Sequence, residues 1–229
     1  MTSDAQPFLY DIGKRTDYVG LGHEEQVEHI KAYVCKPSSV TDKAVIVIHD
    51  IYGWQFPDIR YITDLVAAEG YVAICPDFFL GKKPWTSADH WAEFRDWLKD
   101  RACSAKKIGV IGFSWGGMAV HHLMLKNPEL KTGVSLYGII RDSDDRYNLL
   151  NPTFFIFGEK DHTISYDQVS IILLEKKLKQ YCQVEYRIKV YPGQIHGFAE
   201  LKPDDMKPRD KPYIEEARKD MMNWLKTYV

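Results

Sequence analysis

The sequence predicts an α/β protein with a mostly parallel central sheet and helices on both faces. Three observations carry this. Apolar runs recur at Ala44-Val45-Ile46-Val47-Ile48, Ile108-Gly109-Val110-Ile111 and Thr153-Phe154-Phe155-Ile156-Phe157, as strands buried on both faces read. Helical patterns alternate with the strands, which implies parallel strands joined by crossovers. Each of the three runs closes in a Gly-containing loop, where such sheets gather their reactive groups.

In order along the chain, residues 1–25 are polar and rich in Gly and Asp, and read as a loop or edge ribbon. Residues 27–34 alternate as one half-buried strand. A turn over 37–43 leads to the central strand 44–48 and the loop His49-Asp50-Ile51-Tyr52-Gly53-Trp54. Residues 58–69 read as a helix with Ile59, Ile62, Leu65 and Val66 on one face and Gly70 ending it. The strand 71–75 closes at Pro76-Asp77. An irregular aromatic stretch, 78–84, precedes a helix within 85–102 that Ser87 or Asp89 caps. A strand opens at Lys107, and a short one over 134–137 ends at Gly138. After a polar loop, 142–151, come the strand 153–157, a helix over 166–181 and an alternating strand over 184–191. The loop Pro192-Gly193-Gln194-Ile195-His196-Gly197-Phe198 follows. The last helix, 214–228, turns Ile214, Ala217, Met221, Trp224 and Leu225 inward.

The 229 residues suit one α/β domain, and no boundary divides 1–229. A hydrophobic content of 45% supplies a real core. A net charge of −2 gives no broad electrostatic case for nucleic acid or an anionic membrane. No apolar run approaches the length of a membrane span. Met1 to Tyr10 has no basic region followed by an apolar stretch, so no secretory signal is expected. Cys35, Cys75, Cys103 and Cys182 lack metal-ligand spacing and fit reduced thiols in a cytosolic protein.

The stretch Gly112-Phe113-Ser114-Trp115-Gly116 is a G-x-S-x-G pattern between a strand and a helix. There the serine sits on a strained corner with its hydroxyl above the sheet. Small residues must flank it because a β-carbon would collide with strand or helix. The following helix aims its first N–H groups where an oxyanion develops. Asp161 and His196 also sit just past strand ends. The chain order Ser114, Asp161, His196 is that of the α/β-hydrolase triad. His196 would take the serine proton and return it to the leaving group, while Asp161 would fix the imidazole tautomer. Glu159 and Asp167 are rivals to Asp161. An oxyanion hole needs a second N–H beside that of Trp115, and Ile51 is the candidate. Asp50 adjoins it and is a candidate to face Ser114. His49 reads as a strand-end residue rather than a second base. His121 and His122 lack partners at metal-ligand spacing, so no metal is expected. Tyr52, Trp54, Phe78, Phe79, Trp85, Trp115 and Phe198 are candidates for an apolar pocket, and some of them must instead be core.

With these residues in view, the chain resembles the dienelactone hydrolase family, most closely its animal branch. The matching stretches are AVIVIHDIYGW, RYITDLVAAEGYVAICPDFF, KIGVIGFSWGGMAVHHLM, NPTFFIFGEKD, GQIHGF and KPYIEEARKDMMNWL. The resemblance implies a cytosolic, monomeric, cofactor-free enzyme that opens lactones and small activated esters. It implies a triad at Ser114, Asp161 and His196, oxyanion donors at Ile51 and Trp115, and at Asp50 the acidic residue that touches the resting nucleophile.

Three features depart from the family pattern. The family nucleophile is usually cysteine, and here it is Ser114. A serine is hardly ionised at neutral pH, so it would depend fully on His196. Where bacterial members carry a carboxylate-binding arginine, this chain reads Phe198-Ala199-Glu200. A glutamate there would repel an anionic substrate and leave neutral lactones and esters. The stretch between Asp77 and Lys107 is short, as if a crossover helix were missing, which would bare one face of a parallel strand and strain the connection. The helix within 85–102 is the candidate to cover that face. Alternatives to an ester or lactone hydrolase are a thioesterase or peptidase on the same fold, and a catalytically impaired module that binds a small molecule or a protein.

Overall fold

The computed structural model describes residues 15–80, 95–97, 99–100, 104–138, 140, 147–163 and 168–229. Strands β1 (His23–Val27), β2 (Ile30–Cys35), β3 (Lys43–Ile48), β4 (Val72–Pro76), β5 (Lys107–Phe113), β6 (Thr132–Leu136), β7 (Thr153–Gly158) and β8 (Tyr186–Tyr191) form one eight-stranded sheet. Its order is β1-β2-β4-β3-β5-β6-β7-β8. From β4 across to β8 every pairing is parallel, while β2 is antiparallel to both β1 and β4. The parallel part needs cover on both faces. The cover includes α1 (Pro57–Ala68), α2 (Trp115–Met124), α3 (Gln168–Tyr181) and α4 (Lys211–Tyr228).

Two core layers result. Successive strand residues point to opposite faces, so Ile46 and Ile48 join Val110, Phe155, Ala119, Val120, Leu174 and Leu178 on one side. Val45 and Val47 join Ile111, Phe113, Phe154, Ile59, Ile62, Ile214 and Met221 on the other. The inward residues expected for the last helix, Ile214, Ala217, Met221, Trp224 and Leu225, are all buried.

Two expectations need correction. The single strand over 27–34 is a hairpin, in which Val27 pairs with Ile30 across a turn at Glu28-His29. Glu28 takes the left-handed conformation (φ 52°) that glycine or asparagine would normally signal. The face beside the short connection is not bare. Ala44, Ile46, Val72 and Ile74 are buried together with Phe78, Phe79, Trp97 and Ala105. Helical residues 95–97 fall inside the helix expected over 85–102, most of which lies outside the described residues. Residues 77–106 suffice to cross from β4 to β5, because a parallel crossover needs only a dozen or so.

The segment carrying His196 is tied down beyond β8. Lys202 Nζ reaches Asp58 Oδ1 at 2.5 Å and Asp205 Oδ2 at 2.8 Å, and Arg15 Nε lies 2.9 Å from Asp58 Oδ2. This buried cluster fixes the chain after His196 against the start of α1.

Candidate active site

β5 delivers Ser114 to the carboxyl edge of the sheet. Its backbone sits at φ 54°, ψ −109°, a region costly for any residue with a β-carbon. The corner is held on both sides. The Ser114 N–H donates to Leu136 O at 2.9 Å, and its carbonyl accepts the Met118 N–H at 3.1 Å. Glycines permit the tight crossing from strand to helix. A β-carbon on Gly112 would lie 2.1 Å from Gly116 O, and one on Gly116 would lie 2.2 Å from Ile48 O.

His196 reaches back over this corner. Its Nε2 is 2.8 Å from Ser114 Oγ, and its Nδ1 is 2.7 Å from Asp161 Oδ2. An ionised carboxylate only accepts, so Nδ1 carries the proton and Nε2 is left to accept from the serine hydroxyl. Asp161 Oδ1 accepts the Thr163 N–H at 2.9 Å, which orients the carboxylate. Ser114, His196 and Asp161 are 5%, 6% and 1% exposed, so the relay is shielded from bulk water. Gly197, left-handed at φ 75°, turns the chain directly after the histidine. Of the rivals, Glu159 instead accepts the Gly193 N–H at 2.8 Å, bracing the loop that carries His196. Asp167 lies outside the described residues.

Trp115 opens α2, so its N–H has no carbonyl one helical turn back to bond. Ile51 lies in the turn after β3, where the Gly53 N–H donates to Asp50 O at 3.3 Å. Asp50 Oδ1 accepts the Tyr52 N–H at 2.9 Å within that turn. His49 is a strand-end residue, as the sequence suggests. Its Nδ1 lies 2.7 Å from Asp50 O, and the Phe78 N–H donates to its Nε2 at 3.2 Å. Burial pushes its pKa down from 6.5 to about 4, although Asp50 O and the Asp77 charge pull upward.

The expected pocket aromatics divide. Tyr52 stays partly exposed and stacks on Phe56 at 5.1 Å. Trp54 packs into the core layer of α1, with the Arg60 guanidinium 5.5 Å from its ring. Phe78 is buried in the opposite layer, and Phe198 lies buried between Tyr137 and Tyr191. Phe79 and Trp115 meet edge to face at 4.8 Å. Trp85 lies outside the described residues. His121 is buried between Tyr147 and Phe155. Among the described residues no three His, Cys, Asp or Glu side chains gather as a metal site, and no helix is long and apolar enough to cross a membrane.

The sequence reading missed Tyr137 and the setting of Glu200. The Tyr137 ring lies 5.0 Å from that of His196, and its hydroxyl donates to Glu200 Oε1 at 2.8 Å. Glu200, which the sequence marks only as a group that would repel an anionic substrate, is buried and bonded to Tyr137. Burial raises its carboxyl well above the usual range, and the neighbouring Asp50 charge adds to this. The hydrogen bond from Tyr137 acts in the opposite direction. The Arg218 guanidinium nearby is occupied by the Ala199 and Leu201 carbonyls.

Comparison with known proteins agrees with this architecture. Carboxymethylenebutenolidase homologs from Xenopus tropicalis and from human are 53% and 51% identical to this chain, with both chains covered over their full lengths. Those alignments run to 247 positions against 229 residues here, so this chain lacks residues that its relatives have. Among solved structures, an esterase of Pyrococcus furiosus superposes with a TM-score of 0.69 at 17% identity, covering 93% of this chain and 97% of that one. A dienelactone hydrolase of Anabaena variabilis gives 0.63 at 19% identity, covering 91% and 97%. At those identities the structures speak for the fold alone, which is that of the α/β-hydrolases. The model of the dienelactone hydrolase family matches residues 30–229, and with the full-length relatives it shows that this chain belongs to that family.

Proposed function

We propose that the protein hydrolyses lactones and small carboxylic esters through an acyl intermediate on Ser114. The observation that carries the reading is the buried relay from Ser114 Oγ through both nitrogens of His196 to Asp161. Ser114 Oγ attacks the carbonyl carbon as His196 Nε2 takes its proton. The Ile51 and Trp115 N–H groups hold the oxyanion that forms. His196 then gives its proton to the departing oxygen, which in a lactone stays attached as the far end of the opened ring. In the second half His196 takes a proton from water as the oxygen attacks the acyl carbon, and it returns that proton to Ser114 Oγ as the Oγ–acyl bond breaks and the acid leaves. Asp161 keeps the imidazole in the required tautomer and stabilises its charged form.

Neutral substrates fit best, because Asp50 places a buried acidic group directly beside Ile51. Reaction with a fluorophosphonate, mapped by mass spectrometry, tests the mechanism. An adduct on Ser114 that His196→Ala abolishes, with kcat/KM for 4-nitrophenyl acetate down about 10³-fold or more, is the expected result. Unchanged labelling and turnover in His196→Ala would refute it.

A further inference from the structure

We propose that His49 is the positioning residue of the oxyanion hole, gripping the peptide unit that carries the Ile51 N–H. The inference rests on the hydrolase reading above and adds a residue to it.

The argument begins with a planar peptide. The Asp50 carbonyl and the Ile51 N–H belong to one amide unit, and in a trans peptide they point in opposite directions. Whatever fixes the oxygen therefore aims the N–H. The His49 ring contacts that oxygen at 2.7 Å through Nδ1. On the far side of the ring, the Phe78 N–H points at Nε2 from 3.2 Å. A carbonyl oxygen only accepts, so Nδ1 carries the proton that grips Asp50 O, and Nε2 keeps its lone pair toward the Phe78 N–H, which is shared with Pro76 O at 3.0 Å. With its pKa near 4, the imidazole stays neutral wherever an esterase would work, and this arrangement persists.

The same ring also touches the other side of the hole. It lies nearly parallel to the Trp115 indole, 22° between planes with centroids 6.1 Å apart. Phe79 meets it edge-on at 4.5 Å. Three segments thus converge on one buried side chain: the turn after β3, the loop after β4 and the first residue of α2. Two of them supply the oxyanion donors, and the third supplies the N–H that faces the lone pair of the ring. The Gly53 N–H also reaches Asp50 O, at the longer distance of 3.3 Å. The turn therefore has a weaker hold of its own, and the experiment must separate the two.

Three variants and two readouts do so. His49→Phe keeps an aromatic ring and loses both hydrogen bonds. His49→Asn keeps an N–H where Nδ1 stands. His49→Gln can keep an acceptor near Nε2, but no donor toward Asp50. The first readout is kcat and KM for 4-nitrophenyl acetate. The second is Ki for 2,2,2-trifluoroacetophenone. Ser114 Oγ bonds to its carbonyl carbon, the serine proton passes to His196, and the C=O electron pair becomes an oxyanion in the hole. In His49→Phe, kcat is expected to fall about 10- to 100-fold, somewhat less than the loss of a whole donor. KM should stay within about twofold, while Ki rises by the same factor as kcat falls. His49→Asn should recover most of both, and His49→Gln little.

A folded His49→Phe with unchanged kcat and Ki would overturn the role. If His49→Phe does not fold, Asn and Gln variants of equal activity would overturn it instead. Wild-type protein that neither turns over the ester nor binds the ketone would refute the hydrolase reading itself, and the inference with it. An adduct in wild type that is equally tight in His49→Phe would refute the positioning role alone.

Discussion

The Tyr137 hydroxyl donates to Glu200 Oε1 at 2.8 Å, and the ring that carries it lies against the His196 imidazole. A buried acid is thereby joined to the moving part of the proposed relay through one aromatic side chain. The Tyr137 backbone is itself constrained. It sits at φ 40°, with its N–H donating to Ile156 O at 2.7 Å.

Glu200→Gln tests the charge state of that acid. The folded protein holds the carboxyl proton more tightly than the unfolded chain, whose glutamate titrates near 4.3. Between that value and the raised folded pKa, the native state binds more protons, so stability falls as pH rises through the window. The fall approaches about 1.4 kcal/mol for each pH unit that separates the two values. Glutamine accepts the same Tyr137 bond and cannot ionise. Its thermal midpoint, compared with wild type from pH 4 upward, is expected to gain steadily on the wild-type value. Parallel profiles would mean that Glu200 is already ionised in the fold.

Asp161→Asn keeps the size of the carboxylate and removes its charge. Its amide can present an N–H to His196 Nδ1, favouring the tautomer that points a proton at Ser114 Oγ. The expected loss in kcat is about 10⁴-fold with little change in KM. Steady-state hydrolysis of 4-nitrophenyl acetate measures it. A loss below about tenfold would place the supporting carboxylate elsewhere, with Glu159 the first to test.

Gly116→Ala tests the packing of the corner. The added β-carbon would stand 2.2 Å from Ile48 O, a backbone atom of a central strand that cannot swing aside. Overpacking of this kind costs about 1–3 kcal/mol, occasionally more. Urea unfolding should show a lower midpoint with an unchanged slope. Fluorophosphonate labelling of the molecules that still fold should slow, because relief of the clash must move Ser114 or β3.

The legible parts of the chain are those whose signal is local. β3, β5 and β7 are buried on both faces, and each carries the apolar run that such burial needs. Ser114, Asp161 and His196 each follow a strand end within a few residues, beside glycine, so their order is readable before their contacts are. The hairpin at Glu28 is not readable, because a glutamate occupies a backbone region that glycine usually marks. Nor is the Tyr137–Glu200 bond, which joins residues 63 positions apart with no shared motif. The burial of Glu200 is not readable either, because a charged residue is rarely buried without a charge partner. Here burial raises its pKa and one phenol binds it, which no composition or spacing records.

The relay described above joins residues 82 and 35 positions apart, drawn from the ends of β5, β7 and β8. No fragment short of that span can assemble it, and a chain with its strands out of register would leave Ser114 an ordinary alcohol. On the proposed mechanism, a serine-directed probe therefore counts correctly assembled molecules one by one. The same reagent that reports chemistry would report conformational yield during refolding or in a crude extract, where total protein and competent protein differ.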